Sequence, residues 1–201
     1  MLEILLYCVT AAAVVRCSWL LVGLVRVIPV HLRARTRKWG VPEVLTFFEI
    51  PAFLALTALL VVRALPLPPA SPISLVLAAV GTVLAFAGVL VSIWAIATTV
   101  RRRVILDAGH FVKQEHPLVT GGAYAFVRNP MYLGIILLWF GMAAGFQSRV
   151  LLAVAVGYVV PVLWFYIRAE ERMMLSEFGA QFEVYARRVG RLIPRLRRGA
   201  V

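Results

Sequence analysis

Long apolar runs separated by short basic segments limit what this chain can fold into. Residues 2 to 30 form the first run, interrupted by Arg16 and Arg26. Residues 44 to 65 form the second and about 73 to 100 the third, while 131 to 146 and 150 to 167 are two shorter runs divided by Gln147-Ser148-Arg149. A bilayer's hydrocarbon core is crossed by a helix of about 20 apolar residues. Of the 201 residues 62% are hydrophobic and 15% charged, against about 25% charged in a soluble domain. A soluble fold of this size could not hide so much apolar side chain, which excludes a soluble enzyme and a disordered chain. The expected fold is all-α: an integral membrane bundle of about five transmembrane helices, its first partner the lipid bilayer.

The first run is read as a retained span. A secretory signal would be shorter, with its charge ahead of the apolar stretch, whereas here the chain stays apolar to Pro29 and then turns basic. Cys8 and Cys17 both fall in this run, with no His or Cys cluster beside them, so they are read as small apolar side chains and no metal site is expected. Pro66-Leu67-Pro68-Pro69-Ala70-Ser71-Pro72 cannot continue a helix and makes a loop before the third span.

The formal charge is +12, from 21 Lys and Arg against 9 Asp and Glu. In a soluble chain that excess would suggest nucleic acid. Here 17 of the 21 lie in three polar segments: 31–43, 101–130 and the tail from 168. Insertion retains such clusters on the cytoplasmic side, where the anionic leaflet attracts them. The expected topology therefore puts the amino terminus outside, and the three basic segments, including the carboxyl tail, in the cytoplasm. No nucleic-acid partner is expected. Two regions follow: three amino-terminal spans over 1–103, and a polar loop, helical hairpin and amphipathic tail over 104–201. In the tail Phe178, Phe182, Tyr185 and Val189 recur at helical spacing.

Three places carry chemistry. Glu49, inside the second span, needs an interior partner or a cavity. The segment from Gln114 to Gly134 begins Gln-Glu-His-Pro-Leu-Val-Thr-Gly-Gly-Ala-Tyr and continues through Arg128-Asn129-Pro130-Met131-Tyr132. Its glycines let backbone approach a ligand, and Pro130 suits the start of a helix. The third is Arg168-Ala169-Glu170-Glu171-Arg172, at the inner end of the last apolar run. A short hairpin over 131–167 returns the chain to the membrane face it left, so Glu170 is expected near Asn129 and Tyr132. A carboxylate beside a backbone-lined pocket suits a cationic ligand.

Together these residues resemble the isoprenylcysteine carboxyl methyltransferase family and its membrane relatives, which include phospholipid N-methyltransferases and thiol S-methyltransferases. The matching positions are His116, Leu118, Val119, Thr120, Gly122 and Tyr124, then Arg128, Pro130, Tyr132 and Gly134. Further on come Glu170, Glu171, Leu175, Phe178, Gly179, Tyr185 and Pro194. They span roughly the last ninety residues. The resemblance implies membrane helices binding S-adenosyl-L-methionine in a cytoplasmic pocket outside any Rossmann unit, and no strand with a glycine fingerprint is visible here either. It implies cofactor contacts at Gln114, His116, Pro117, Leu118, Val119, Tyr124, Asn129, Pro130, Met131, Tyr132 and Glu170, with Lys113 as the alternative to Gln114. Glu170 would pair with the sulfonium end, and Arg128 or Arg168 would orient an anionic acceptor. The implied activity is transfer of a methyl group to a lipophilic or prenylated acceptor, by carboxylate O-methylation or thiol S-methylation.

Two departures stand out. Asn129 takes the place of the family histidine before the proline and cannot titrate near neutrality. Tyr166 aligns with the arginine that meets the substrate carboxylate in eukaryotic members, and Arg168 is the nearest replacement. Two other readings compete. One is an NADPH-dependent reductase of the sterol type, which shares a similar Arg-His-Pro-x-Tyr segment. The other is a non-enzymatic membrane protein whose Gly141-Met142-Ala143-Ala144-Gly145 packs against a partner, although packing within the chain is that motif's commoner use.

Overall fold

A computed structural model of the chain describes residues 1–33, 67–101 and 117–195. The second expected span, Glu49 and the polar stretch up to His116 lie outside the described residues. The described regular structure is helical. Helix α1 (Leu2–Arg33) carries the first apolar run without a break past Arg16 and Arg26, and α2 (Pro72–Arg101) carries the third. A 3-10 turn (Gly122–Ala125) precedes α3 (Pro130–Gly145). After a turn at Phe146–Ser148 the chain re-enters helix as α4 (Arg149–Val154), passes through a π turn (Ala155–Val159), and continues as α5 (Val160–Phe178) and α6 (Ala180–Arg188).

Two stretches, Pro72–Thr99 and Arg149–Phe178, are long and apolar enough to cross a membrane; Pro130–Gly145 is apolar but shorter. Helix α3 starts at Pro130 as expected, while α2 takes in Pro72, the last residue of the expected proline-rich loop, because proline is tolerated in a first helical turn. The hairpin's second arm runs further than its apolar length suggests, because helix continues through the charged doublet to Phe178. It breaks where Gly179 adopts φ +47°. The amphipathic tail is thus the end of α5 plus a short α6, whose Phe182 and Tyr185 are buried.

The closest packing is between α2 and α3, which run antiparallel with backbone on backbone. A Cβ placed on Gly81 would come within 2.4 Å of Gly145 N, one on Gly88 within 2.5 Å of Gly134 O, and one on Gly141 within 2.6 Å of Ala85 N. Small residues are the usual means of close approach where lipid removes the hydrophobic drive between helices. Gly141 and Gly145 therefore pack inside the chain. Helix α1 lies against this pair: Thr82 Oγ1 donates to Leu5 O at 3.2 Å. Its Leu6, Val9 and Ala13 join Leu138, Met142, Leu151, Val159, Leu163 and Tyr166 in one buried cluster.

Pro161 explains the π turn, since a proline has no N–H to give and its ring crowds the carbonyl four residues earlier. The backbone widens just before it, and Val160 N–H bonds to Ala155 O five residues back. The wider turn also keeps Leu151, Ala155 and Val159 buried together at spacings of four, where the 3.6 period of an ordinary helix would drift away. From Val159 the buried face follows ordinary helical spacing through Val162, Leu163, Tyr166 and Ile167, and Glu170 is next on that face.

Candidate active site

Asn129 and Pro130 form a corner at the start of α3. Pro117 to Thr120 reach it without regular structure, followed by the 3-10 turn. At Gly122 the backbone takes φ +60°, and a Cβ there would meet Thr98 Oγ1 of α2 at 2.5 Å, so both conformation and space require glycine. That contact fixes the loop against the end of α2, and Trp94 packs on Phe126 with ring centroids 5.4 Å apart.

The returning helix closes the site. Tyr132 Oη donates to Glu170 Oε1 at 2.5 Å, across the hairpin and 38 residues along the chain. The Tyr132 ring stacks on buried Tyr166 with centroids 6.4 Å apart and an angle of 13° between planes. Tyr166 and Glu170 are four residues apart, one turn of helix, so both face Tyr132. Tyr124 contributes a neutral phenol: burial and the nearby Glu170 charge push its pKa up to about 12. It is a hydrogen-bonding group and not a base near neutrality.

Glu171 points elsewhere. Adjacent residues on a helix diverge by about 100°, and this second carboxylate meets the segment that follows α6. Arg128 Nε donates to Glu171 Oε1 at 2.9 Å, Asn129 Nδ2 to the same oxygen at 3.4 Å, and Arg191 Nη2 to Oε2 at 2.5 Å. Arg128 Nη1 also donates to Ala186 O and Val189 O, both at 2.7 Å, capping the end of α6. The backbone joins too. Arg128 N–H donates to Gly190 O and Asn129 N–H to Arg191 O, around an isolated parallel bridge between Val127 and Gly190. Tyr185 Oη donates to Tyr124 O at 2.8 Å, and burial raises the Tyr185 pKa above its ordinary value.

Of the candidate residues, Tyr124, Asn129, Pro130, Tyr132 and Glu170 meet around this corner. Met131 sits half-buried in the first turn of α3, while Leu118 and Val119 are half-buried on the approach and Pro117 is exposed. Gln114 and His116 lie outside the described residues. Arg128, expected to orient an acceptor, commits its donors to Glu171 and two carbonyls. Arg168 is exposed, its guanidinium 5.6 Å from the Trp164 ring centroid, and Arg191 lies at 4.9 Å from the same centroid. Glu171 and Arg191 join the site without being among the expected residues. The doublet's 100° divergence is a usable signal for Glu171; for Arg191 the sequence carries none, since a carboxylate twenty residues back holds its guanidinium and Asn129 meets its carbonyl.

Residues 76–181, more than half of the chain, match the phospholipid methyltransferase family. The chain belongs to that family. Among similar proteins is the protein-S-isoprenylcysteine O-methyltransferase of Tribolium castaneum, 35% identical over 106 residues, which are 47% of this chain and 36% of that protein. Methanethiol S-methyltransferase 2 of Bradyrhizobium diazoefficiens is 39% identical over 74 residues, 36% of this chain and 27% of its own. The protein-S-isoprenylcysteine O-methyltransferase of Saccharomyces cerevisiae is 34% identical over 93 residues, 42% and 37% of the two chains. This phospholipid methyltransferase family member thus matches about a third of the length of these relatives. No solved structure matches it. The family match runs from α2 to the start of α6 and so contains the Tyr132–Glu170 contact.

Proposed function

We propose that the protein is a membrane-embedded methyltransferase using S-adenosyl-L-methionine and a lipophilic acceptor. The observation that carries this reading is the Tyr132–Glu170 hydrogen bond beside the Asn129–Pro130 corner. It puts a carboxylate and two stacked aromatic rings where the last apolar helix gives way to charged residues. These groups fit a sulfonium donor: carboxylate and ring faces both favour a cation held out of water, and Tyr124 and Asn129 offer hydrogen bonds to its polar parts. When bound, the donor supplies an electrophilic methyl group, so the protein's task is chiefly alignment and exclusion of water.

In this reading Glu170 holds the positive end, and Tyr124, Asn129 and Tyr132 fix the remaining polar groups. Arg168 orients an anionic acceptor. With the donor held by Glu170, Tyr124, Asn129 and Tyr132, an acceptor oriented by Arg168 would present its oxygen or sulfur to the methyl group. The acceptor's apolar part enters from the bilayer. We further propose five spans, with the amino terminus outside and the site on the cytoplasmic side, as the basic segments suggest.

Names of the relatives point to two acceptor chemistries, a prenylcysteine carboxylate and a thiol. The test supplies methyl-labelled S-adenosyl-L-methionine to the full chain in nanodiscs with either farnesylcysteine, a long-chain alkanethiol or phosphatidylethanolamine. Label is expected in the farnesylcysteine or the thiol fraction, and label in none of the three overturns the reading.

A further inference from the structure

We propose that Glu171 is a positioning residue for the cofactor corner: it ties the segment after α6 to Arg128 and Asn129, and leaves Asn129 only its acceptor oxygen to offer a ligand. The statement rests on the proposed cofactor reading for its second half and on geometry alone for its first.

The geometry is unusually committed. Glu171's side chain is 13% exposed and stands between Arg128, at 9%, and Arg191, at 34%. Two guanidiniums converge from different directions on one shielded carboxylate, and each of its oxygens has an arginine partner. Without that charge the cations would face one another, and a partly desolvated charge left unpaired is costly. The same carboxylate accepts from Asn129 Nδ2, which also donates to Arg191 O at 3.2 Å. Both hydrogens of the amide are therefore engaged, and Oδ1 is what remains. A ligand group meeting Asn129 must then be a donor, a hydroxyl or an amine. Arg128 and Arg191 serve the same end, through Ala186, Val189 and Gly190 on one side and Glu171 on the other. The doublet thus divides its work, with Glu170 on the Tyr132 side and Glu171 on the rear of the corner.

The experiment uses the full chain in nanodiscs with Glu171→Gln, Glu171→Asp, Arg191→Gln and the Glu171→Gln/Arg191→Gln double variant. Without ligand, hydrogen exchange at the Arg128 and Asn129 amides is expected to rise at least about 10-fold in Glu171→Gln and to stay near wild type in Glu170→Gln. With S-adenosyl-L-methionine, the KM is expected to rise about 10-fold, the equivalent of ~1.4 kcal/mol, while kcat at saturation changes less than about twofold. Glu171→Asp should recover most of the loss, and the double variant should be no worse than Glu171→Gln, because the pair acts as one unit. Unchanged exchange in Glu171→Gln overturns the proposal, as does a fall in kcat at constant KM, or effects that multiply in the double variant. If Glu171→Gln does not fold, Arg191→Gln and Glu171→Asp decide by the same readings. Loosened amides in a protein whose wild type takes no S-adenosyl-L-methionine would support the tether and overturn the cofactor reading separately.

Discussion

Replacing Glu170 by alanine lowers affinity for radiolabelled S-adenosyl-L-methionine about 100-fold, with the fold retained. A unit charge pair about 5–6 Å apart in an effective dielectric near 20 is worth ~3 kcal/mol, and about 1.4 kcal/mol corresponds to each factor of ten. The substitution also strands the Tyr132 hydroxyl that donates to Glu170. Glu170→Gln keeps an acceptor for Tyr132 and is expected to lose nearly as much, since charge and not the hydrogen bond carries most of the effect. Equilibrium binding to the detergent-purified protein checks both. Wild-type affinity in Glu170→Gln would mean that the carboxylate holds no cation.

The second large effect is on the fold. Gly141→Leu places a side chain where Ala85 N and Gly81 O lie 2.6 and 2.7 Å from the added Cβ. Backbone cannot step aside as a flexible side chain can, so α2 and α3 must separate, at a cost of ~3 kcal/mol or more. Scanning fluorimetry in mild detergent should show a clear fall in Tm. Gly157→Ala is the matched control, because nothing lies within 4 Å of its added Cβ, and it should unfold at or above the wild-type temperature.

Much of this architecture is written in local pattern. Pro130 marks a helix start that follows from backbone chemistry, and Pro72 enters α2 one residue ahead of the expected span for the same reason. The meeting of Glu170 with Tyr132 is also legible, because a tight turn at Gln147-Ser148-Arg149 leaves the returning arm few places to end. Gly141 and Gly145 announce close packing, but their counterparts Gly81 and Gly88 stand seven residues apart among other apolar residues and are ordinary until α3 lies on them. The π turn is hidden because its cause, Pro161, more often signals a helix start or kink. Least legible is the back of the site. Arg128 is bound there to carbonyls of Ala186 and Val189, and a carbonyl is available at every position in any sequence. Side-chain type alone points Arg128 at an acceptor and says nothing of Glu171; tertiary contacts some sixty residues apart in sequence decide where the Arg128 donors go.

The interlocked backbones of α2 and α3 bear on how anything enters. Two helices meeting peptide against peptide cannot slide or tilt by small amounts, since no pliable side chain lies between them to deform. Tyr132 rides on that seam, two residues before Gly134, and is in effect the fixed jaw of a vice. Facing it, the charged end of α5 and the segment after α6 are gripped by the hydrogen bonds of Glu170 and Glu171, contacts that, unlike packed backbone, can be released and remade one at a time.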